Sequence, residues 1–197
     1  MKILPLHASE SDLISGLKAK DPKAQEKLYT LFSAKMFAVC KRYLKDVGEA
    51  EDLLVEGFLK VFKKIDHFKG KGSFEGWLRR IFVNLALDVL RNKKKMELQV
   101  SWSDVSEIAD DVCEDADVFL ASEALSVGDL LSLIEDLKDP YGLVFSLYVL
   151  DNLSHQEISE QLEITLANSK SILHRARKQL QLSIINVKKN THGKVRI

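Results

Sequence analysis

Apolar side chains in this 197-residue chain recur at three- and four-residue spacing in two long blocks, and no period-2 run bounded by hairpin turns interrupts them. That spacing gathers the apolar set on one face of a helix, so the chain reads as all-α. A short helix is predicted over Ser11 to Lys20. Asp21-Pro22 then reads as an N-cap followed by proline at the first helical position, where its missing N–H costs nothing. The helix it opens carries Leu28, Leu31, Phe32, Val39, Cys40, Tyr43 and Leu44 as a buried stripe, which makes Cys40 a small core residue rather than a reactive thiol. The next helix, about Gly48 to Asp66, buries Leu53, Leu54, Gly57, Phe58, Val61 and Ile65. Ser73 caps a further helix reaching about Lys94, with Phe74, Leu78, Ile81, Leu85 and Val89 inward and Trp77 and Phe82 on the flanks.

Two faces of this block carry candidate chemistry. At about 100° per residue, Asp52, Glu56, Leu59 and Lys63 share one outward face, with Val55 beside them. A leucine ringed by carboxylates fits a docking point for a basic partner, with Leu59 as its apolar anchor. Spacing alone equally allows a surface leucine without a role. Lys69, Gly70, Lys71 and Gly72 form a flexible basic loop, and Arg80, Asn84, Leu87, Arg91 and Lys94 share the outer face of the helix that follows, beside Arg79. Arginine and asparagine supply donors for phosphates and base edges, while a solvated basic face is the plainer alternative.

A net charge of zero conceals a strong segregation of sign. Met1 to Lys95 holds 20 basic and 12 acidic residues, Met96 to Leu137 holds 12 acidic residues and no Lys or Arg, and Lys138 to Ile197 holds 9 basic and 5 acidic. Such a distribution suits two segments that approach polyanions, joined by one that polyanions repel, although charge blocks also serve simply as solvated surface. Met96 to about Ser122 has little helical pattern and reads as a linker. Its roughly 25 residues reach at most ~85 Å at about 3.4 Å each. That spans two turns of DNA, about 70 Å. No apolar run approaches the ~20 residues of a membrane helix, the apolar run at Met1 to His7 is too short for a secretory signal, and Cys40 and Cys113 have no paired CxxC spacing. These features predict a soluble, cytoplasmic protein with no membrane insertion.

Periodicity returns from Glu123 with Leu125, Leu130, Leu131, Ile134 and Leu137. Asp139-Pro140 repeats the cap-plus-proline start and opens an apolar helix through Leu143, Val144, Leu147 and Tyr148, which Asp151-Asn152 ends. Ser154-His155-Gln156-Glu157 is a full capping box. It opens a short helix ending near Leu162, and after the turn Glu163-Ile164-Thr165 a longer one runs from Leu166 past Leu180. Two helices joined by a three-residue turn describe a helix-turn-helix, with Ile158, Leu162, Ile164 and Ile172 between them. The second helix carries Asn168, Lys170, Ser171, His174, Arg175, Arg177 and Lys178, a set able to enter a major groove. An ordinary helical hairpin is the alternative. The tail from Asn186 to Ile197 is basic and predicted to fray.

In this pattern the chain resembles a bacterial RNA polymerase sigma factor of the extracytoplasmic-function (ECF) class. The first block of resemblance runs from Leu28-Tyr29 through Ala50-Glu51-Asp52-Leu53-Leu54-Val55-Glu56-Gly57-Phe58-Leu59-Lys60 to Phe74-Glu75-Gly76-Trp77-Leu78, then Ile81, Asn84, Asp88 and Arg91, and looks like sigma region 2. The second runs from Leu137 through Glu157-Ile158 to Arg175-Ala176-Arg177-Lys178-Gln179-Leu180 and looks like region 4. The resemblance implies two small helical domains joined by an acidic linker. Residues 1–95 would be the region 2-like bundle, 96–122 the linker, 123–185 the region 4-like helix-turn-helix domain and 186–197 a basic tail. It implies that Asp52, Val55, Glu56, Leu59 and Lys63 meet core RNA polymerase. Lys69, Lys71, Arg79, Arg80, Asn84, Leu87 and Arg91 would open and read the promoter −10 region, where unstacked bases are captured in a positive groove. Asn168, Lys170, Ser171, His174, Arg175 and Lys178 would read the −35 duplex. The linker resembles a nucleic-acid mimic suited to the polymerase channel. The family further implies a monomer, commonly held by an anti-sigma factor, with no catalytic residues, metal or cofactor.

Four positions depart from the family pattern. Val55 stands where glutamine is usual, Gly142 where arginine is frequent, Glu163 at the turn glycine and Ser169 at a packing valine. A stand-alone helix-turn-helix regulator is the alternative function, but it leaves the Asp52/Leu59 face and the acidic stretch unexplained. A metal enzyme using Glu51, Asp52 and Glu56 fits poorly, because Glu51 points away from the other two and no histidine lies at ligand spacing.

Overall fold

The computed structural model describes residues 6–96 and 125–193, with side chains described for 10–93 and 125–187. The linker expected over Met96 to Ser122, with Trp102 and Cys113, falls outside these residues apart from its first position. The chain divides into two compact units, within 1–96 and 97–197. All regular structure among the described residues is helical, and no described helix is long and apolar enough to cross a membrane.

The first unit holds α1 (Leu6–Lys18), α2 (Pro22–Tyr43), α3 (Val47–Lys64), a 3-10 turn (Ile65–His67) and α4 (Phe74–Met96). The Asp21 carboxylate accepts the Lys23 N–H at 3.0 Å with Pro22 at the helix start, as the sequence predicts. Asp46 caps α3 in the same way, through the Glu49 N–H at 2.9 Å. The six apolar residues expected inside α3 are all buried. Cys40 is fully enclosed, and burial pushes its thiol pKa up to about 12, as suits an inert core residue.

Two readings of helix faces need correction. Leu31, expected inside, is 51% exposed, while Met36 and Ala24 fill the inward positions of α2. Leu87, expected on the open face of α4, is 0% exposed. The cause is the position of α4, which packs against both α2 and α3. From Ile81 to Leu87 every side chain is buried except half-buried Asn84, and Phe82, expected on a flank, is fully enclosed. The α3–α4 approach is close: a Cβ at Gly57 would lie 2.1 Å from the Phe82 ring. Only a residue without one fits there.

The second unit holds α5 (Val127–Glu135), α6 (Tyr141–Phe145) continuing as a wide π turn (Ser146–Leu150), α7 (His155–Leu162) and α8 (Leu166–Gly193). Ser126 and Asp129 form a capping box at α5 that the sequence reading missed. Asp139 does not cap α6. The Asp139–Pro140 bond is cis, Pro140 itself holds the N-cap position, and the Lys138 carbonyl accepts the Tyr141 N–H at 2.9 Å in place of a side chain. Gly142 packs α6 against the end of α5 so closely that a Cβ would lie 2.9 Å from the Leu137 carbonyl oxygen, which accounts for the absence of a long side chain there. Asp151 caps the π turn through its N–H to the Ser146 carbonyl, and Asn152 follows at φ 56°, the left-handed region that asparagine tolerates. The predicted capping box at Ser154 and Glu157 is present. Residues from Asn186, expected to fray, continue α8 to Gly193.

Two stability outcomes are expected. Leu87→Ala should cost about 2–4 kcal/mol in denaturant unfolding of the first unit, against less than about 0.5 kcal/mol for an open surface position. Glu163 adopts φ 56° and ψ 42° as the C-cap of α7. Glu163→Gly should therefore raise the melting temperature of the second unit, by relieving strain of about 1 kcal/mol. An unchanged or lower melting temperature would count against that strain.

Candidate partner and nucleic-acid interfaces

The first candidate surface is the outer face of α3. Its inward stripe of Leu53, Leu54, Phe58 and Val61 fixes the helix rotation, so Asp52, Val55, Glu56, Leu59 and Lys63 all emerge into solvent. Val55 is 57% and Leu59 53% exposed. Beside them Tyr29 of α2, itself partly exposed, leans on Phe58 with ring centroids 5.0 Å apart. This combines an apolar patch with two carboxylates on a rigid support, the composition of an interface with a basic partner.

The second candidate surface is built around the loop Lys69–Ser73. Phe68 and Phe74 bracket it, both buried, with rings 5.2 Å apart in edge contact. Trp77 stacks on Phe74 at 5.8 Å and Phe32 meets Phe74 edge-on at 6.1 Å. The loop therefore leaves and re-enters the same aromatic cluster. Gly70 and Gly72 take φ 70° and 83°, which turns the chain sharply and sets Lys69 and Lys71 outward. Ser73 accepts the Gly76 N–H at 3.0 Å and caps α4 as expected. Lys18 of α1, a residue the sequence reading passed over, donates to the Phe68 carbonyl at 3.3 Å and ties α1 to the foot of the loop. A groove of about 480 Å³ lies between α1 and the loop, lined by Ile14, Ser15, Lys18, Phe68, Lys69 and Gly70 among others.

On α4, Arg80 is exposed and Asn84 half-buried beyond the loop. Arg79 lies near Glu75 at 3.8 Å, and Glu75 also accepts from Lys35 at 2.7 Å. Arg91 pairs with Asp88. Neither arginine stands as an isolated charge. Leu87 does not belong to this surface. The run Ile81-Phe82-Val83 and Leu85-Ala86-Leu87 is the signal that could have shown this, since seven positions with one polar residue leave no open face.

The helix-turn-helix forms the third surface. Ile158, Leu162 and Ile172 are buried between α7 and α8, with Ile164 half-buried in the turn. Thr165, expected only as a turn residue, caps α8 by accepting the Asn168 N–H at 3.1 Å. Lys170 and Lys178 are exposed, while Asn168, Ser171, His174 and Arg175 are half-buried. At about 100° per residue these six lie on one side of α8, opposite Ser169, Ile172, Leu173, Ala176 and Leu180, all buried. A convex, cationic and amide-bearing helix face of this kind can meet phosphates and base edges in a major groove.

The sequence matches family models for Sigma-70 region 2 over residues 28–96 and Sigma-70, region 4 over residues 128–180. It is 31% identical over 175 residues to the ECF RNA polymerase sigma factor SigW of Bacillus subtilis, covering 85% of this chain and 92% of that protein. Identity to the ECF RNA polymerase sigma-E factor of Escherichia coli K12 is 25%, over 85% of this chain and 90% of that one. Among solved structures, the sigma factor RpoE of Bartonella quintana, crystallised with the anti-sigma factor NepR, aligns with a TM-score of 0.48 and 18% identity, over 82% of this chain and 96% of that one. Both family modules in order, with a relative at this identity along nearly its full length, make the chain a member of the ECF class of RNA polymerase sigma factors.

Proposed function

We propose a division of labour among named residues by which this sigma factor, acting with core RNA polymerase, directs initiation at its promoters. Asp52, Val55, Glu56, Leu59 and Lys63 on α3 form the polymerase-docking face. Lys69 and Lys71 on the loop, with Arg79, Arg80, Asn84 and Arg91 on α4, engage the −10 region. Asn168, Lys170, Ser171, His174, Arg175 and Lys178 on α8 engage the −35 duplex. The observation that carries this reading is the aromatic closure of the Lys69–Ser73 loop. A basic loop held at both ends by a packed core presents donors in fixed places, as capture of unstacked bases requires.

Residues 1–95 and 123–185 are proposed as the two promoter-binding domains, with 96–122 as an acidic linker in the polymerase channel. The chain supplies position and strand opening, and polymerase supplies the chemistry, so no catalytic group, metal or cofactor enters the scheme. A cytoplasmic location and control by an anti-sigma factor complete the proposal. A stand-alone repressor or activator would have no use for an exposed Val55/Leu59 patch flanked by carboxylates.

The test is transcription from a promoter library by purified core polymerase with and without the protein. New start sites sharing −10 and −35 sequences are expected only on its addition; no new transcripts and no co-migration with core enzyme would overturn the reading. Charge reversal at Asp52 and Glu56 together should weaken core binding by at least about tenfold with the helical content unchanged. Unaltered affinity would remove the docking face. Arg175→Ala should cost about 1–3 kcal/mol on the −35 duplex and relax its sequence preference, whereas Lys178→Ala should weaken all duplexes alike and lower the salt dependence by about one charge.

A further inference from the structure

Ser169 is a fully buried polar residue of α8, at the centre of the helix's inward arc and between two members of the proposed duplex-reading set, Asn168 and Lys170. An apolar side chain at this place would hold α8 by packing alone. Here the hydroxyl oxygen lies 2.9 Å from Nδ1 of His155, in the first turn of α7. His155 is itself fixed from two sides. The preceding residue, Ser154, is locked in the capping box with Glu157, and the imidazole stacks on Tyr148 of the π turn at 4.5 Å and 28°. Arg177 returns from α8 to lie 6.0 Å over the same Tyr148 ring. The recognition helix is thus tied to the preceding elements at two levels, eight residues or about 12 Å apart.

We propose that the His155–Ser169 hydrogen bond sets the seating of α8 on α7, making both residues positioning residues for the −35 contact. The inference rests on the assignment of α8 to the −35 duplex. A hydrogen bond weakens steeply as its angle opens, so it adds a directional restraint against rotation of α8 about its axis. A rotation of α8 would carry Lys170, Ser171, His174 and Arg175 out of register with base edges, and recognition is sensitive to displacements of this kind. The departure at Ser169 therefore has a partner in His155, and the two are best understood as one exchange of an apolar contact for a directional one.

The electrostatic surroundings of the ring are also shaped by α8. The charged groups facing the imidazole from α8 are Lys170 and Arg177, and the π turn contributes the Tyr148 ring. On α7 itself, the Glu157 carboxylate is engaged by Ser154. Burial first, then these two cations, hold the His155 pKa below its ordinary value. The folded state consequently favours the neutral ring. Its contribution is complete above the ordinary value of about 6.5 and falls as the pH drops below it.

The test uses full-length protein bound to core polymerase, with promoter DNA taken from the transcription library and the same DNA with its −35 segment scrambled. The readout is the ratio of affinities for the two. A merely structural role would lower the amount of active complex on both templates and leave the ratio unchanged. Ser169→Ala removes only the hydroxyl oxygen, and His155→Phe keeps a ring on Tyr148 without the nitrogen. Each is expected to reduce the ratio about three- to tenfold, and the double variant should be no worse than either single one. Additive losses, or an unchanged ratio in both single variants, would overturn the proposal. If Arg175→Ala and Lys178→Ala also leave the ratio unchanged, the assignment of α8 fails with it. If they reduce it while Ser169→Ala and His155→Phe do not, only the His155–Ser169 role is lost.

Discussion

The close crossing of α3 and α4 at Gly57 and Phe82 underlies the first unit. Because Gly57 has no Cβ, the Phe82 ring lies directly on the α3 backbone and in turn meets Phe58 at 5.3 Å. This contact draws α4 into the space between α2 and α3. The proposed docking face and the proposed −10 face then stand on adjoining helices of one packed body. Side chains on the far side of each helix cannot rotate inward without breaking that crossing, so position is maintained by burial rather than by surface contacts.

Loops gain their order from the same source. The Lys69–Ser73 segment has two glycines at positive φ and two lysines, a composition that alone describes a mobile turn. Contact between Phe68 and Phe74 closes it, and Lys18 fastens its entry. In the second unit the turn between α7 and α8 is organised by backbone and caps: Glu163 turns in the left-handed region, its N–H bonds the Ser159 carbonyl, and Thr165 caps α8. Both arrangements hold hydrogen-bond donors at defined places.

Much of this was legible along the chain, and the exceptions share a cause. Caps at Asp21, Ser73 and Ser154 depend on neighbours within a few residues, so their sequence signals held. The inward set of α3 was read correctly because that helix has one buried face. A helical wheel misplaces Leu87 and Phe82 of α4 because it assumes a single buried face, and this helix has neighbours on more than one side. At Asp139-Pro140 the same dipeptide that caps α2 does something different, because the Lys138 carbonyl meets the first N–H groups of α6. The Ser126 box lacks the usual sequence signal, because its partner is aspartate rather than glutamate or glutamine.

The sequence by itself determined the helical class, the two blocks, the helix-turn-helix and the segregation of charge, since each follows from local periodicity, capping chemistry and composition. It also carried the family resemblance, which is a property of residue order. Tertiary structure alone decided which faces remain open: that Leu59 is exposed and Leu87 is not, that the basic loop is closed by aromatic rings, and that Ser169 meets His155. Periodicity states that a helix has an inner side. How many sides are inner, and which polar group faces which, depends on neighbours brought together by folding from distant parts of the chain.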